Sequence, residues 1–280
     1  MVHNGKAIDA MKSHAKSGCV YVGIGGWTYP PWRGVFYPKG LPQSQELAFA
    51  TAQLTSIEIN ATFYRLQKPA SFRKWAEVAP DGFAFSLKAP RLLTHRAELA
   101  EGADFMRRFF DSGLLELGDR LGPILWQFPP NKGFESTDFG KFLELLPQTI
   151  DGRKLHHVVE GRHDSFSTPE FVRLLRGFGV TSAYSESDAY PDIADVTGDI
   201  VYARLQKGQD TIATGYKSAA LDKWAERARI WAEGSEPKDL SYVDAAHPSA
   251  ARPRDVFIYF IHGGKLRAPA AATALIERLA

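Results

Sequence analysis

Residues 20–32 read VYVGIGGWTYPPW, an apolar run of strand length followed by glycines, aromatic residues and two prolines. Because glycine and proline are typical of turns, this strand is predicted to end in a loop rather than to lead into a helix. Nucleotide-binding folds place G-x-G-x-x-G or G-x-x-x-x-G-K-[ST] at such a strand end, and neither motif occurs here. The first strand therefore disfavours an open nucleotide-binding sheet.

The same alternation continues along the chain, where short apolar runs separate segments in which apolar residues have helical spacing. The predicted strands are residues 20–24, 56–59, 83–87, 121–128, 157–160, 180–185, 200–205 and 256–261. The predicted helices are residues 45–53, 71–78, 104–117 and 139–146, one that starts after Thr168, one with Leu221, Trp224, Ala228 and Trp231 on one face, and 270–279.

Eight strands that alternate with helices predict an α/β fold, a single (β/α)8 TIM barrel, and a doubly wound open sheet is the competing alternative. Residues 188–199 are rich in Pro, Gly and Asp, so we expect an irregular or missing sixth helix there. Residues 234–255 are predicted to form a long loop before the eighth strand. The expected organisation is a polar lead-in over residues 1–19 and one barrel domain over residues 20–280.

Composition excludes several classes of protein. The chain has 280 residues, 44% of them hydrophobic, and 34 Lys and Arg against 32 Asp and Glu. This near balance argues against a polybasic nucleic-acid arm or membrane anchor. The single cysteine, Cys19, excludes an intrachain disulfide framework and a Cys-rich metal site. Since no apolar stretch has the length of a membrane span or a secretory signal, the expectation is a cytoplasmic protein with no membrane partner.

Barrel enzymes carry their chemistry at the carboxyl ends of the strands, so polar residues at these positions are the candidates. The candidates for catalysis are Glu58, Lys88, Glu160, Arg162, His163 and Arg204. The candidates for substrate binding are Trp27, Tyr29, Trp32, Asn60, Tyr64, Gln127, Gln206 and His262. Any one of them could instead be a solvated loop residue, and it is their convergence on one rim that predicts a polar pocket.

Two charged pairings are expected within this pocket. Glu160 and Arg162 alternate to the same side of an extended strand, which places a carboxylate beside a guanidinium, and a purely structural ion pair is the alternative. Glu58 is expected to point into the barrel. A buried carboxylate is costly without a partner, so Lys88 or Arg204 is predicted to lie beside it.

A divalent metal is a further alternative. Carboxylates and histidines from several strand ends suit Mg, Mn or Zn. The available donors are Glu58, Glu160, His163, Asp188 and His262, but the chain has no H-x-H or H-E-x-x-H motif. The cofactor is therefore left unknown.

Two loops suggest how a ligand is held. Residues 26–38 contain five aromatic residues and three prolines, a stiff segment suited to stacking on a sugar ring or a base. Its aromatic residues could equally pack beneath the loop, which is the better interpretation for Phe36 and Tyr37. Arg91, His95 and Arg96 follow the third strand and could hold a phosphate, or they are ordinary charged surface.

Several motifs resemble those of the YecE-like family, domain of unknown function 72. They are IGGWTY at 24–29, FYP at 36–38, EINATFYR at 58–65, FAFSLK at 83–88 and LGPILWQFPP at 121–130. The resemblance runs in order from about residue 20 to the C-terminus and implies a TIM barrel, without an established reaction. Three positions depart from the family pattern: Gly161 replaces a phenylalanine, Gln206 replaces a histidine, and His262 stands where an Asn-rich pattern is usual.

Together these features favour an enzyme, a hydrolase, isomerase or lyase, that acts on a small polar substrate, sugar-like or phosphorylated. The chemistry would be acid–base or metal-assisted, with Glu58 or Glu160 as base or metal ligand and Lys88 or Arg204 stabilising negative charge. Trp27 would stack on the ligand. The less favoured alternative is a protein that binds or processes nucleic acid with its aromatic loops and Arg33, Arg65, Arg91 and Arg96.

Overall fold

The structure is a computed structural model that describes residues 17–262 and 264–280. Most of the expected lead-in, residues 1–16, lies outside the described residues, so the division into a lead-in and one barrel domain stays a prediction. Among the described residues, no helix has the length and apolar character needed to cross a membrane.

Eight parallel strands close into a barrel in which neighbours along the chain are neighbours in space. The strands are β1 (Val20–Gly25), β2 (Ser56–Ile59), β3 (Ala84–Lys88), β4 (Leu121–Gln127), β5 (His157–Glu160), β6 (Thr181–Glu186), β7 (Ile200–Leu205) and β8 (Asp255–Phe260). The pairing of β1 with both β2 and β8 closes the ring. The predicted TIM barrel is confirmed, and the open sheet is excluded.

Helices of varied length cover the outside of the barrel. The longer ones are α1 (Glu46–Gln53), α2 (Pro69–Val78), α3 (Ala103–Phe110), α4 (Ser136–Glu144), α5 (Pro169–Phe178), α6 (Ser218–Ala232) and α7 (Ala268–Leu279). Residues 187–199 and 233–254, all of them described, contain neither helix nor strand. The missing sixth helix and the long loop before the last strand are therefore confirmed.

The predicted third helix, residues 104–117, is wrong in its extent. Helix α3 ends at Phe110, and a separate 3₁₀ segment, Leu114–Arg120, follows it. Gly113 between them has φ of 98°, and a Cβ there would lie 2.7 Å from the Pro69 ring. The close approach of α2 and the left-handed glycine together break the helical pattern that the sequence suggested.

Two cores of different character result from the alternation of side chains along each strand. Residues such as Ile57, Leu87 and Trp126 face outward into the large apolar layer beneath the helices. The smaller core inside the barrel includes Tyr202 and Tyr259, which are fully buried. Side chains alternate along β7 between the inside and the outside of the barrel. Tyr202 and Arg204 therefore lie on the inner wall, and Gln206 follows just after the strand, towards the mouth.

Candidate active site

Arg204 is the centre of a buried charge network in the barrel mouth. Its Nε and Nη2 donate to the two carboxylate oxygens of Glu58 at 3.0 and 3.1 Å, and its Nη1 donates to Glu160 at 2.7 Å. All three side chains are at most 2% exposed. The predicted cationic partner of Glu58 is therefore confirmed, and it is Arg204 that contacts both carboxylates.

Both oxygens of Glu160 are fully engaged. Oε2 accepts from Gln127 at 2.5 Å as well as from Arg204, and Oε1 accepts from Ser185 at 2.9 Å. The Nε of Arg162 lies 3.4 Å from Oε1, which confirms the predicted pairing. Burial alone would raise the pKa of Glu160, but the two arginines and these hydrogen bonds outweigh it and lower that pKa to about 2.

A layer of hydroxyl groups supports the network from inside the barrel. The Tyr202 hydroxyl donates to Oε2 of Glu58 at 2.8 Å and lies 2.8 Å from Oγ of Ser86. Deeper still, Oγ of Ser56 lies 2.6 Å from the hydroxyl of Tyr259. The polar interior thus continues below the strand ends, and the carboxylate of Glu58 is fixed from two directions.

Sequence reasoning missed Ser185 and Tyr202 as members of this network. Polar residues at the ends of the strands were the candidates, and near the end of β6 the candidate was Asp188. The signal that could have found Ser185 is the alternation of that strand, which puts Ala183 and Ser185 on the inner face. Glu186 points outward instead, where Tyr216 and Trp224 donate to it.

Lys88 is a buried charge of the mouth that has no carboxylate partner in the described part of the chain. The side chain is 9% exposed, and among the described residues no Asp or Glu forms an ion pair with it. Its Nζ lies 3.9 Å from the centroid of the Phe63 ring. Burial and the charge of Arg204 lower the pKa of Lys88 to about 8, although Glu58 and Glu160 oppose the shift.

The rim of the mouth holds the remaining polar candidates. The guanidinium of Arg162 lies 4.3 Å from the centroid of Tyr190, and exposed His163 caps a short turn through Ser165. Half-buried Gln206 has a buried Nε2 atom with no hydrogen-bond partner among the residues that the structure describes. Half-buried Asn60 lies over the end of β1, and His262 is exposed.

The aromatic candidates divide between core and surface. Trp32 is 1% exposed and donates its indole N–H to the carbonyl of Lys265 at 2.9 Å, so the structure places it beneath the loop rather than in the mouth. Half-buried Trp27 packs edge-on against Trp75, and Tyr29 packs edge-on against Trp32. Tyr64 is 71% exposed. Tyr37 is buried and Phe36 half-buried, which confirms that these two pack under the loop.

The donors suggested for a divalent metal do not come together. Within residues 17–262 and 264–280, no group of three or more His, Cys, Asp and Glu side chains could hold a metal ion. Glu58 and Glu160 already bind the guanidinium of Arg204, while His163 is held by Ser165 and Asp188 pairs with Lys207 at 2.6 Å. This donor set does not fit a divalent cation.

Comparison with known proteins identifies relatives of uncharacterised activity. A family model described as "Protein of unknown function DUF72" matches residues 21–280. The protein YecE of Escherichia coli K12 is 29% identical over 148 residues, which are 52% of this chain and 50% of YecE. YunF of Bacillus subtilis is 26% identical over 116 residues, 40% of each chain. The chain thus spans about half the length, or less, of the curated relatives it matches.

Solved structures agree on the fold. A DUF72 family protein from Thermotoga maritima superposes with a TM-score of 0.68 at 23% identity, over 91% of this chain and 96% of that one. A DUF72 family protein from Enterococcus faecalis gives 0.67 at 14% identity, over 94% and 98%. At these identities the likeness concerns the barrel and leaves the chemistry of the mouth to be argued from its residues.

Proposed function

Because this chain belongs to the DUF72 family, whose function is unknown, we propose its activity from its own barrel mouth: an enzyme that acts on a small polar substrate, sugar-like or phosphorylated, by acid–base chemistry. The observation that carries the proposal is Lys88. A buried ammonium with no carboxylate partner is costly, and a fold does not need one for stability. Its position at a strand end, in the usual place for barrel chemistry, supports a catalytic role.

The lowered pKa of about 8 suits Lys88 for proton transfer near neutral pH. At pH 7 most molecules carry the protonated amine, which can donate a proton or stabilise an oxyanion that forms on the substrate. A minority carry the free amine, which can accept a proton. Isomerases, lyases and hydrolases all use such a group, so the proposal covers these classes.

We assign the two carboxylates a positioning role. A general base needs a free lone pair and a pKa near the working pH, whereas both oxygens of Glu160 are occupied and its pKa is about 2. The carboxylate of Glu58 is also occupied, because Arg204 donates to both of its oxygens and Tyr202 donates to Oε2. We propose that the network fixes the geometry of the mouth around Lys88 and that the unpartnered amide of Gln206 donates to substrate. We assign no step to a metal.

Substitution of Lys88 tests the proposal. The wild-type protein would be incubated in D2O with a panel of sugars and sugar phosphates, and NMR would follow carbon-bound deuterium and new products. We expect Lys88→Met to lower turnover about 100-fold or more, since general acid–base groups contribute this much. The rate of the wild type should change with pH about a midpoint near 8, the pKa of Lys88.

Lys207→Met is the matched control. Lys207 is an exposed rim lysine that pairs with Asp188, so its loss should leave turnover unchanged. Undiminished turnover in Lys88→Met would reject the catalytic role of Lys88. A wild-type protein that converts nothing in the panel and binds oligonucleotides would reject the enzyme.

Binding of nucleic acid is the second candidate, and the exposure of Tyr64 favours it. This ring is 71% exposed next to exposed Arg65, an arrangement that could stack on a base and contact a phosphate. Arg33, however, is paired with Glu46 at 2.7 Å. We therefore rank this candidate below the enzyme.

A further inference from the structure

A surface depression beside the mouth has no role in the chemistry described above. Its volume is about 570 Å³, and it lies on the chain that follows β3, where it is lined by Arg91, Leu92, His95, Arg96, Ala97 and Glu101. The ring of His95 lies 5.7 Å from that of Phe63, the same ring that holds the ammonium of Lys88. Phe63 therefore contacts both His95 of the depression and Lys88 of the mouth.

The depression is rich in cations that the protein does not neutralise. Neither Arg91 nor Arg96 forms an ion pair with any carboxylate in the part of the chain that the structure describes, and Glu101 is the acidic residue in the lining. Arg96 is half-buried and packs near Gly102, where a Cβ would lie 3.3 Å from its Nη1. Packing thus restricts this guanidinium, which lowers the entropy lost when it binds an anion.

His95 adds a neutral donor to the same site. Burial and then the positive charges of Arg91 and Lys88 lower the pKa of His95, so the imidazole is neutral at pH 7. Its Nδ1 lies 3.0 Å from Oγ1 of Thr94, and Nε2 has no partner among the described residues. The two positive charges that contribute to this shift would also attract an anion.

We propose that this depression binds the phosphate group of a phosphorylated small molecule whose other end reaches Lys88 in the barrel mouth. The inference rests on the proposed function and deepens it, because it selects phosphorylated substrates over neutral sugars. Guanidinium groups match the geometry of phosphate oxygens and bind them with paired, charge-assisted hydrogen bonds. A volume of about 570 Å³ also falls within the range usual for small-molecule sites.

A single phosphate fits this surface better than a nucleic-acid strand does. A strand needs a row of free cations that follows its backbone. Lys132, which donates to the carbonyl of the lining residue Ala97, is already paired with Asp138 at 2.8 Å. Elsewhere on the surface, Arg33 is paired with Glu46 at 2.7 Å. Glu101 in the lining would repel a second phosphate placed beside the first. Arg91 and Arg96 are thus two cations, unpaired among the described residues, that share one depression.

Calorimetric titration of the full chain tests the site. The probes are inorganic phosphate, ribose 5-phosphate, ribose and a short single-stranded oligonucleotide, all at one ionic strength so that screening is constant. The test variant is Arg91→Gln with Arg96→Gln. The matched control is Lys141→Gln with Lys238→Gln, which removes the same charge from two exposed positions outside the depression. Circular dichroism of each variant checks that the fold is intact.

We expect the wild type to bind ribose 5-phosphate and inorganic phosphate, and ribose far more weakly. Loss of two charge-assisted contacts should weaken phosphate binding at least about tenfold in the test variant and leave the control within about twofold. Equal affinity in the test variant, or no phosphate binding by the wild type, overturns the proposal. Inorganic phosphate that binds while ribose 5-phosphate does not would assign the depression to the free ion and likewise overturn it.

Two further outcomes distinguish the phosphate site from the nucleic-acid candidate and from the catalytic role of Lys88. Oligonucleotide binding that is tighter than that of ribose 5-phosphate, and that weakens steeply with salt, would replace it with the nucleic-acid candidate. The Lys88→Met protein should still bind ribose 5-phosphate within about threefold of the wild type, because the guanidinium contacts are unchanged. Phosphate binding with unaltered turnover in Lys88→Met would then reject the catalytic role of Lys88 and leave the phosphate site in place.

Discussion

In the barrel mouth each oxygen of Glu160 interacts with two partners, whereas the ammonium of Lys88 faces the ring of Phe63. Both groups are buried and both are ionised at pH 7, so both have lost most of their hydration. The protein replaces that hydration in full for Glu160 and only in small part for Lys88, because a cation–π contact is weaker than several charge-assisted hydrogen bonds.

This difference divides the buried charges of the mouth into two classes, which we call the scaffold side and the chemical side. A buried ion whose hydrogen bonds are all made is rigid and resists a change of protonation, which suits it to hold a geometry. A buried ammonium with few partners has a pKa lowered towards neutrality, and its N–H groups are free to donate to a ligand. The network of Glu58, Arg204 and Glu160 belongs to the first class, and Lys88 belongs to the second.

The largest expected change in the free energy of unfolding follows from removing Arg204 from the scaffold side. Arg204→Met would leave the carboxylates of Glu58 and Glu160 buried without their shared cation. Removal of one partner from a buried charge network costs about 3–5 kcal/mol, so we expect the free energy of unfolding to fall by about that amount. Urea denaturation followed by circular dichroism at pH 7 measures it.

Two companion variants make this test specific to the buried charges. Arg204→Met combined with Glu58→Gln and Glu160→Gln should recover part of the lost stability, because no unpaired charge is left inside the barrel. Arg107→Met breaks an exposed ion pair with Asp104 and should change stability very little. If Arg204→Met proves as mild as Arg107→Met, the network is not the scaffold of the mouth.

The scaffold side was also the part that the sequence predicted best. Alternation along a strand puts Glu58 inside the barrel, and the cost of a lone buried carboxylate then demands a cation such as Arg204. Sequence could not show that one guanidinium bridges two carboxylates, because the separation of side chains from β2, β5 and β7 depends on barrel closure. Ser185 and Tyr202 were missed since a serine or a tyrosine in an apolar strand resembles ordinary core.

The chemical side was less visible in the sequence. Lys88 was predicted at a strand end, but its lack of a carboxylate partner is a property of the whole mouth. The prediction that Trp32, in the aromatic loop of residues 26–38, contacts a ligand failed for the same reason. Trp32 is of the residue type that stacks on ligands, yet loop residues 30–37 fold back over its ring and bury it. Exposure of an aromatic ring depends on what packs above it, which spacing along the chain does not record.

The next variant changes Gly161, the residue between Glu160 and Arg162. A Cβ added at Gly161 would lie 2.3 Å from Cγ of fully buried Phe166. Phe166 thus fills the space beside β5. Gly161→Ala should lower the free energy of unfolding by about 2 kcal/mol through overpacking, measured by urea denaturation.

Gly177→Ala is the control for this change. Gly177 lies in helix α5 with no atom within 4 Å of an added Cβ, so alanine there should be neutral or stabilising, by up to about 1 kcal/mol. Combining Gly161→Ala with Phe166→Leu should cost less than the two changes added together, since the smaller side chain frees space. Strict additivity would show that the two residues do not compete for one space.

The smallest expected effect, and the sharpest contrast with Arg204, concerns the stability of Lys88→Met. The pKa of Lys88 falls from its ordinary 10.5 to about 8, so burial disfavours the charged form in the folded protein. Methionine keeps the volume without the charge but loses the contact with Phe63. We therefore expect the free energy of unfolding at pH 7 to rise by about 1 kcal/mol rather than to fall.

The pH dependence of that difference identifies its cause. Between pH 8 and 10.5 the unfolded chain still holds the lysine proton, while the folded protein has released it, so wild-type stability should rise with pH relative to Lys88→Met. The advantage of the variant should accordingly shrink above pH 8 and vanish before pH 10.5. Urea denaturation of both proteins from pH 7 to 10 measures it, with Lys207→Met, at an exposed paired lysine, as the flat reference. A Lys88→Met protein that is markedly less stable than wild type at every pH would place Lys88 beside Arg204 in the scaffold and remove the contrast between the two sides.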